Sequence, residues 1–292
     1  MLRPNNNNDI KTPSAILTSD WHLREDQPVC RTDAFWETQW KKIDFISDIQ
    51  RKYNCPVLHA GDLFNHWKPS PYLLSETIRH VPNQFYTVYG NHDLPQHNLE
   101  LINKCGVYTL EQADKLNRIP PPGFQFLHWG MNPFENEDTV LIWHIFTYQG
   151  KQPWPDCPSP TANKLLKKYP NYDLIVTGDN HQPFVEEYEG RLLVNPGSIL
   201  RQSVSETHKP RVYLWFSETN SVEAVYLPLE DNVISREHIE IVEKRNERID
   251  AFVNKLNGEY ETSISFEENL KRFNQATRIR ESVMNIVYKS IE

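Results

Sequence analysis

The sequence predicts an α/β domain followed by a small helical C-terminal appendage. Three observations carry that expectation. Between residues 14 and 198, six short β-rich apolar segments alternate with stretches of helical periodicity. Five of the six stop on polar side chains, and open α/β sheets bind their ligands beyond the carboxyl ends of the strands. After residue 230 the two-residue alternation gives way to apolar residues at helical spacing.

Residues 1–13 read as a flexible polar arm with an Asn run at 5–8. SAILTSD (14–20) is the first strand segment. AFWETQWKKIDFISDIQRKY (34–53) reads as a helix, with Phe35, Trp36, Trp40, Ile43 and Ile46 or Ile49 near one face. CPVLHAGD (55–62) is the second strand segment. PSPYLLSETIRHV (69–81) opens on proline, which a first helical turn tolerates. QFYTVYGNHD (84–93), TVLIWH (139–144), YDLIVTGDNH (172–181) and RLLVNPGS (191–198) complete the six. TANKLLKKYP (161–170) is a short basic helix stopped by Pro170. RVYLWFS (211–217) and SVEAVYLPL (221–229) alternate like a hairpin that turns from Glu218 to Asn220.

Residues 235–258 read as a helix whose Ile249, Phe252, Val253 and Leu256 share a face, with Gly258 as the stop. Ser265 and Glu268 form a capping-box pattern ahead of Phe266, Leu270 and Phe273. Ile279, Val283, Met284 and Val287 continue that helix or form a third. The expected organisation is an arm at 1–13, a main domain at 14–230 and a helical segment at 231–292.

The 292 residues carry a net charge of −8 with a pI near 5.8. This argues against a broadly basic nucleic-acid surface and leaves room for a local basic groove or for metal cations. The four cysteines include no C-x-x-C pair, so a zinc ribbon or thioredoxin motif is not expected. The start, MLRPNNNNDIKTPS, has no apolar core of a signal peptide, and no run of about 18 apolar residues occurs. A soluble cytoplasmic protein with reduced thiols and no membrane partner is expected.

The strand ends hold the chemistry. Asp20 and His22 follow the first segment, Asp62 the second, Asn91 and His92 the third, His144 the fourth, and Asp179 and His181 the fifth. Carboxylates, imidazoles and an amide oxygen form a mixed nitrogen and oxygen set suited to first-row divalent metals, with no thiolate to demand zinc. Two such ions sharing a carboxylate can hold a phosphoryl group and generate a nucleophile from water. Taken singly, Asp20 and His22 read as surface residues, Gly61-Asp62 as a common turn and His144 as a core histidine. Only their joint order reverses those readings. His59, His80, His97, His128, His208 and His238 read as structural or exposed, and Trp21 as a packing wall.

Asp-x-His at 20–22, Gly-Asp at 61–62, Gly-Asn-His-Asp at 90–93, His144 and Gly-x-x-His at 178–181 resemble the ordered motifs of the calcineurin-like metallophosphoesterases. GDLFNHWKPSPYLL (61–74) and VNPGSILRQS (194–203) are similar to stretches of the SbcD-type DNA double-strand-break repair nucleases, phage-encoded members being nearest in length. The resemblance implies a four-layer α/β/β/α sandwich and location in a phage or bacterial cytosol. It implies two divalent ions, manganese first and magnesium or iron next. Asp20, His22 and His181 would hold one ion, Asn91 and His144 the other, and Asp62 would bridge them. His92 would contact the scissile phosphate or protonate the leaving oxygen, with Asp93 orienting it.

The family usually reads Gly-His-x-His where this chain has Gly178-Asp179-Asn180-His181. Asp179 either ligates the second ion, the preferred reading, or stands behind the ligands and leaves that ion weakly held. His66, Lys68 and Arg201 are candidates to touch substrate. The resemblance also implies a DNA substrate and a coiled-coil ATPase of the SMC kind, docked on the C-terminal helices. Those helices read equally as a cap on their own chain, and a homodimer stays open. The expected function is a DNA exonuclease or endonuclease subunit in repair or recombination. The alternatives are a phosphodiesterase or phosphatase for small molecules and a non-catalytic scaffold.

Overall fold

The structure is a computed structural model that describes residues 12–117, 119–257, 266–277 and 279–289. Its elements in chain order are β1 (Ala15–Thr18), α1 (Phe35–Tyr53), β2 (Val57–His59), α2 (Pro71–His80), β3 (Phe85–Thr87), α3 (Gly106–Gln112), β4 (Phe124–Leu127) and β5 (Val140–Trp143). There follow α4 (Ala162–Lys168), β6 (Leu174–Thr177), β7 (Phe184–Tyr188), β8 (Arg191–Asn195), β9 (Arg211–Phe216) and β10 (Ser221–Tyr226). Three helices close the chain: α5 (Glu237–Asn257), α6 (Phe266–Thr277) and α7 (Glu281–Lys289). The chain divides after Ser235 into two compact units.

Two five-stranded sheets form the first unit, in the orders β10-β9-β1-β2-β3 and β4-β5-β6-β8-β7. β1, β2 and β3 run parallel, as do β4, β5, β6 and β8. The ligand-rich ends of β1, β2 and β3 therefore share one edge of their sheet, and those of β5 and β6 one edge of theirs.

The two-residue period sorts each strand between layers. Ala15 and Leu17 join Ile142, Val176 and Val194 in the core between the sheets. Ile16 faces the other way, with Ile43 and Ile46 of α1 and Leu110 of α3. Across the second sheet, Leu141, Trp143 and Ile175 pack on Leu165 and Leu166 of α4. The result is the four-layer α/β/β/α sandwich. Parallel strands covered on both faces need nearly continuous apolar sequence, and β1, β5 and β6 are buried at every position. Ser70 caps α2 by accepting from the Leu73 amide, and Pro71 opens it.

Two strands are additions to the sequence reading. β4 is only half buried and lacks a β-branched run, and β7 carries two glutamates on a sheet edge. Both are held by pairing with an apolar neighbour, which a local pattern does not reveal. The hairpin of β9 and β10 turns through a short 3₁₀ stretch, with Asn220 left-handed at φ 40°. α7 is separate from α6. Gly258, Ser265, most of the arm and the side chains of Phe252, Val253 and Leu256 lie outside the described residues. Ile249 is half exposed, whereas Leu270, Phe273 and Met284 are buried. All four cysteines are free thiols. Among the described residues no helix is long and apolar enough to cross a membrane.

Candidate metal centre

The chain turns sharply as it leaves β1, β2 and β6. Asp20, His22, Asp62 and Asp179 all have positive φ, at 51°, 45°, 59° and 73°. For non-glycine residues this backbone costs about 1 kcal/mol or more at each position. It turns the chain out of the strand at both residues and brings the Asp20 and His22 side chains into one space. Glycines leave the room: a Cβ at Gly90 would overlap the Asp62 carboxylate, and one at Gly61 or Gly178 would meet the His144 ring.

His22 Nε2 lies 3.0 Å from His181 Nε2, 3.5 Å from Asp62 Oδ2 and 3.9 Å from Asp20 Oδ1. On the other side of Asp62 Oδ2, at 3.6 Å, is His144 Nε2, which is itself 3.0 Å from Asn91 Oδ1. One oxygen of Asp62 therefore faces two histidines of different strand ends. Its other oxygen accepts from the His92 amide at 2.9 Å. Asp20, His22, Asp62 and His144 are buried, Asn91, Asp179 and His181 are less so, and His92 is exposed at the mouth.

Outer partners set the ring orientations. His144 Nδ1 donates to the Ala60 carbonyl at 2.7 Å, and His181 Nδ1 donates to Glu206 Oε1 at 2.6 Å. Each Nε2 lone pair is thereby turned inward, the arrangement that orients imidazole ligands. Burial alone would depress the His181 pKa, but Glu206, Asp20 and Asp62 raise it to about 9. Burial and the neighbouring His181 hold His22 well below its usual value. Burial, with Asp93 and Asp20 nearby, pushes the Asp62 carboxyl well up. Burial likewise raises Asp179.

These residues fit divalent cations. Asp20 Oδ2 and His22 Nδ1 are buried without a hydrogen-bond partner. Among the described residues, neither a lysine nor an arginine forms an ion pair with Asp20, Asp62, Asp93 or Asp179. Buried carboxylates crowded in this way need positive charge. Three groupings bring ligand atoms within 4.8 Å of one another: Asp20, His22 and His181; His22, Asp62 and His92; and Asp20, Asp62 and His144. Asp179 stands outside them; its amide donates to Asp20 Oδ1 at 3.0 Å.

The Asp93 role differs from the expectation. Its buried carboxylate accepts from the amides of Leu63, Phe64 and Gly90 at 3.2, 3.0 and 3.0 Å. It staples the loop after β2 to the turn after β3. The His92 ring is instead braced by the Asn65 carbonyl, to which Nδ1 donates at 2.9 Å. The reason is that three buried amides converge on Asp93 and need an acceptor. His66 lines a groove of about 330 Å³ with Arg24, Asn65 and Lys68, and its ring packs on Trp67 at 5.2 Å. Arg201 sits in a charged group with Arg31, Asp33 and Glu206. Glu206 is missed by sequence reasoning: it lies 25 residues beyond His181, and its only signal is an acid shortly after the Pro-Gly-Ser turn.

Comparison with known proteins adds the following. The description of a calcineurin-like phosphoesterase superfamily domain matches residues 15–220. The DNA double-strand break repair protein Mre11 of Haloferax volcanii is 28% identical over 176 residues, covering 54% of this chain. The match spans 38% of that protein, well short of its full length. An archaeal phosphodiesterase structure is 15% identical, covering 73% of this chain and 99% of its own, with a TM-score of 0.40. TT1561 of Thermus thermophilus is 12% identical, with coverages of 74% and 99% and a TM-score of 0.43. Vps29 of Entamoeba histolytica is 14% identical, with coverages of 73% and 99% and a TM-score of 0.34.

Proposed function

This chain belongs to the calcineurin-like phosphoesterase superfamily, and from that premise we propose that it is a two-metal phosphodiesterase that cuts DNA. The observation that carries the reading is Asp62 Oδ2, set 3.5 Å from His22 Nε2 and 3.6 Å from His144 Nε2. Asp20, His22 and His181 would hold one ion and Asn91 and His144 the other, with Asp62 and Asp179 as further donors available to them. Manganese suits this donor set best, followed by magnesium or iron.

Bound ions supply charge neutralisation at the phosphoryl oxygens and lower the pKa of a water toward about 7. The protein's own groups do the rest. His181 and His144 keep their lone pairs inward through Glu206 and Ala60. His92, exposed at the mouth and braced by Asn65, passes a proton to the leaving oxygen. Asp93 holds the two loops that carry His92 and Asp62 in register. His66 contributes substrate contact at the rim, and Arg201 is a second candidate for it.

The DNA reading draws support from the likeness to the Haloferax Mre11 protein, which is named for DNA double-strand break repair. The net charge of −8 argues that DNA is gripped elsewhere in an assembly. We assign catalysis to residues 14–230 and docking of an SMC-like coiled-coil ATPase to residues 231–292.

The test is incubation of the full chain and Mn with duplex and single-stranded DNA, beside bis-p-nitrophenyl phosphate. DNA cleavage that vanishes in Asp62→Ala supports the nuclease. Hydrolysis of the small diester alone moves the substrate class to small phosphodiesters. A folded protein inactive with every metal leaves a non-catalytic scaffold.

A further inference from the structure

A second groove, also about 330 Å³, opens beside the centre. Trp129, Met131, Trp143 and Phe146 line it, and it ends against His144 and Asp179. We propose that this groove seats the nucleobase next to the phosphodiester being cut. The proposal rests on the DNA reading above and adds to it the contact by which the substrate is chosen.

The groove meets the metal centre at His144, which belongs to both, with Asp179 beside it. A base seated there adjoins a phosphate lying over Asp62. Among the described lining residues there is no lysine or arginine, and the one carboxylate, Asp179, repels anions. The occupant is therefore not a second phosphate. It is flat and neutral, because indole and phenyl walls offer faces on which a base can stack. Asn132 and Ser159 supply neutral polar groups for base edges.

The walls are held in place before any substrate arrives. The Trp129 amide donates to the Tyr89 carbonyl at 2.9 Å, directly before the Gly90-Asn91 turn. The Trp129 ring lies 5.6 Å from His97, whose Nδ1 donates to the Asn91 carbonyl at 2.9 Å. The Trp143 indole donates to the Met131 carbonyl at 3.1 Å. Phe146 follows His144 by two residues, and Trp154 packs on it at 5.0 Å. Both aromatic walls are thus anchored to the segments that carry Asn91 and His144, so the base and the phosphate are positioned by the same two loops.

The experiment uses the full chain with Mn and a set of short single-stranded oligonucleotides, with a single abasic residue moved along the sequence. The wild-type protein is expected to lose roughly 5- to 150-fold in kcat/KM when the abasic residue adjoins the cut bond, the range one stacked base contributes. Trp129→Ala should cut intact and abasic oligonucleotides alike, and Trp129→Phe should restore the preference. Calorimetric titration with Mn checks that the centre survives; if Trp129→Ala loses the ions, Phe146→Ala takes its place. Equal cutting of intact and abasic substrates by the wild type overturns the groove and leaves the nuclease standing. So does a preference that persists in Trp129→Ala. A wild type that leaves every oligonucleotide whole overturns the nuclease and the groove together.

Discussion

The two halves of the centre are backed by different groups. On one side His181 is braced by the Glu206 carboxylate at 2.6 Å, and Glu206 is itself fixed by the Gln202 amide. On the other side His144 is braced by the backbone carbonyl of Ala60 at 2.7 Å, and its inward neighbour is the neutral amide of Asn91. A carboxylate behind an imidazole raises its basicity more than a carbonyl does. On the proposed two-ion reading, the first half would hold its cation more tightly and the second would exchange its cation more readily. On that reading the loops that touch these residues from behind would contribute to binding strength along with the residues themselves.

The change that breaks this comparison outright is Asp62→Ala, because its oxygen belongs to both halves. Hydrolysis of bis-p-nitrophenyl phosphate should fall about 10³-fold or more, and Mn stoichiometry should drop below two. Rates near the wild type would remove the shared oxygen from the account. His92→Ala should cost about 10²- to 10⁴-fold in turnover with metal content unchanged by elemental analysis, since the ring is exposed at the mouth and its proposed role is proton transfer. Loss of metal in that variant would make His92 a ligand.

Glu206→Gln sharpens the difference. One of the two Mn-binding events should weaken by about 10- to 100-fold while the other holds. Equal weakening of both would erase the asymmetry. If Asp179 is a ligand as proposed, Asp179→His should keep activity and shift metal preference toward zinc, since it replaces a hard oxygen by nitrogen. An unchanged metal profile would end its role as a ligand.

The smallest effect concerns the loop behind the first half. Lys42 is buried and its Nζ donates to the Ile199 carbonyl at 2.7 Å. Burial, with Arg31 and Arg201 nearby, lowers its pKa from 10.5 to about 7. The unfolded chain therefore binds more protons than the folded one between those two values. Stability owed to Lys42 rises as pH climbs through that window and is constant below it. Relative to Lys42→Met, the wild type should gain at most about a few kcal/mol between pH ~7 and ~10 in denaturant titrations. A flat difference would mean that the amine stays charged in the fold.

Much of this was legible along the chain. Apolar runs of three or four residues, each followed within a few positions by glycine, an acid or a histidine, mark strands that leave their sheet at a shared edge. The segments 14–20, 55–62, 84–93, 139–144 and 172–181 are read in that way, and they contain the strands at 15–18, 57–59, 85–87, 140–143 and 174–177. The order of Asp20, His22, Asp62, Asn91, His144 and His181 after those strands is likewise a property of sequence. These signals are local: backbone periodicity and the residue that follows a strand depend on neighbours a few positions away.

What the tertiary structure alone decided is which loops meet. Tertiary packing brings Glu206 behind His181, lets Asp93 accept from the amides of Leu63 and Phe64 across neighbouring strand ends in place of the His92 ring, and sets Trp129 and Phe146 on the walls of one groove beside Asp179. β4 and β7 exist because stronger neighbours offer them a hydrogen-bonding edge. Contacts of this kind join residues tens of positions apart, and their partners are selected by packing between layers, on which no single segment carries information.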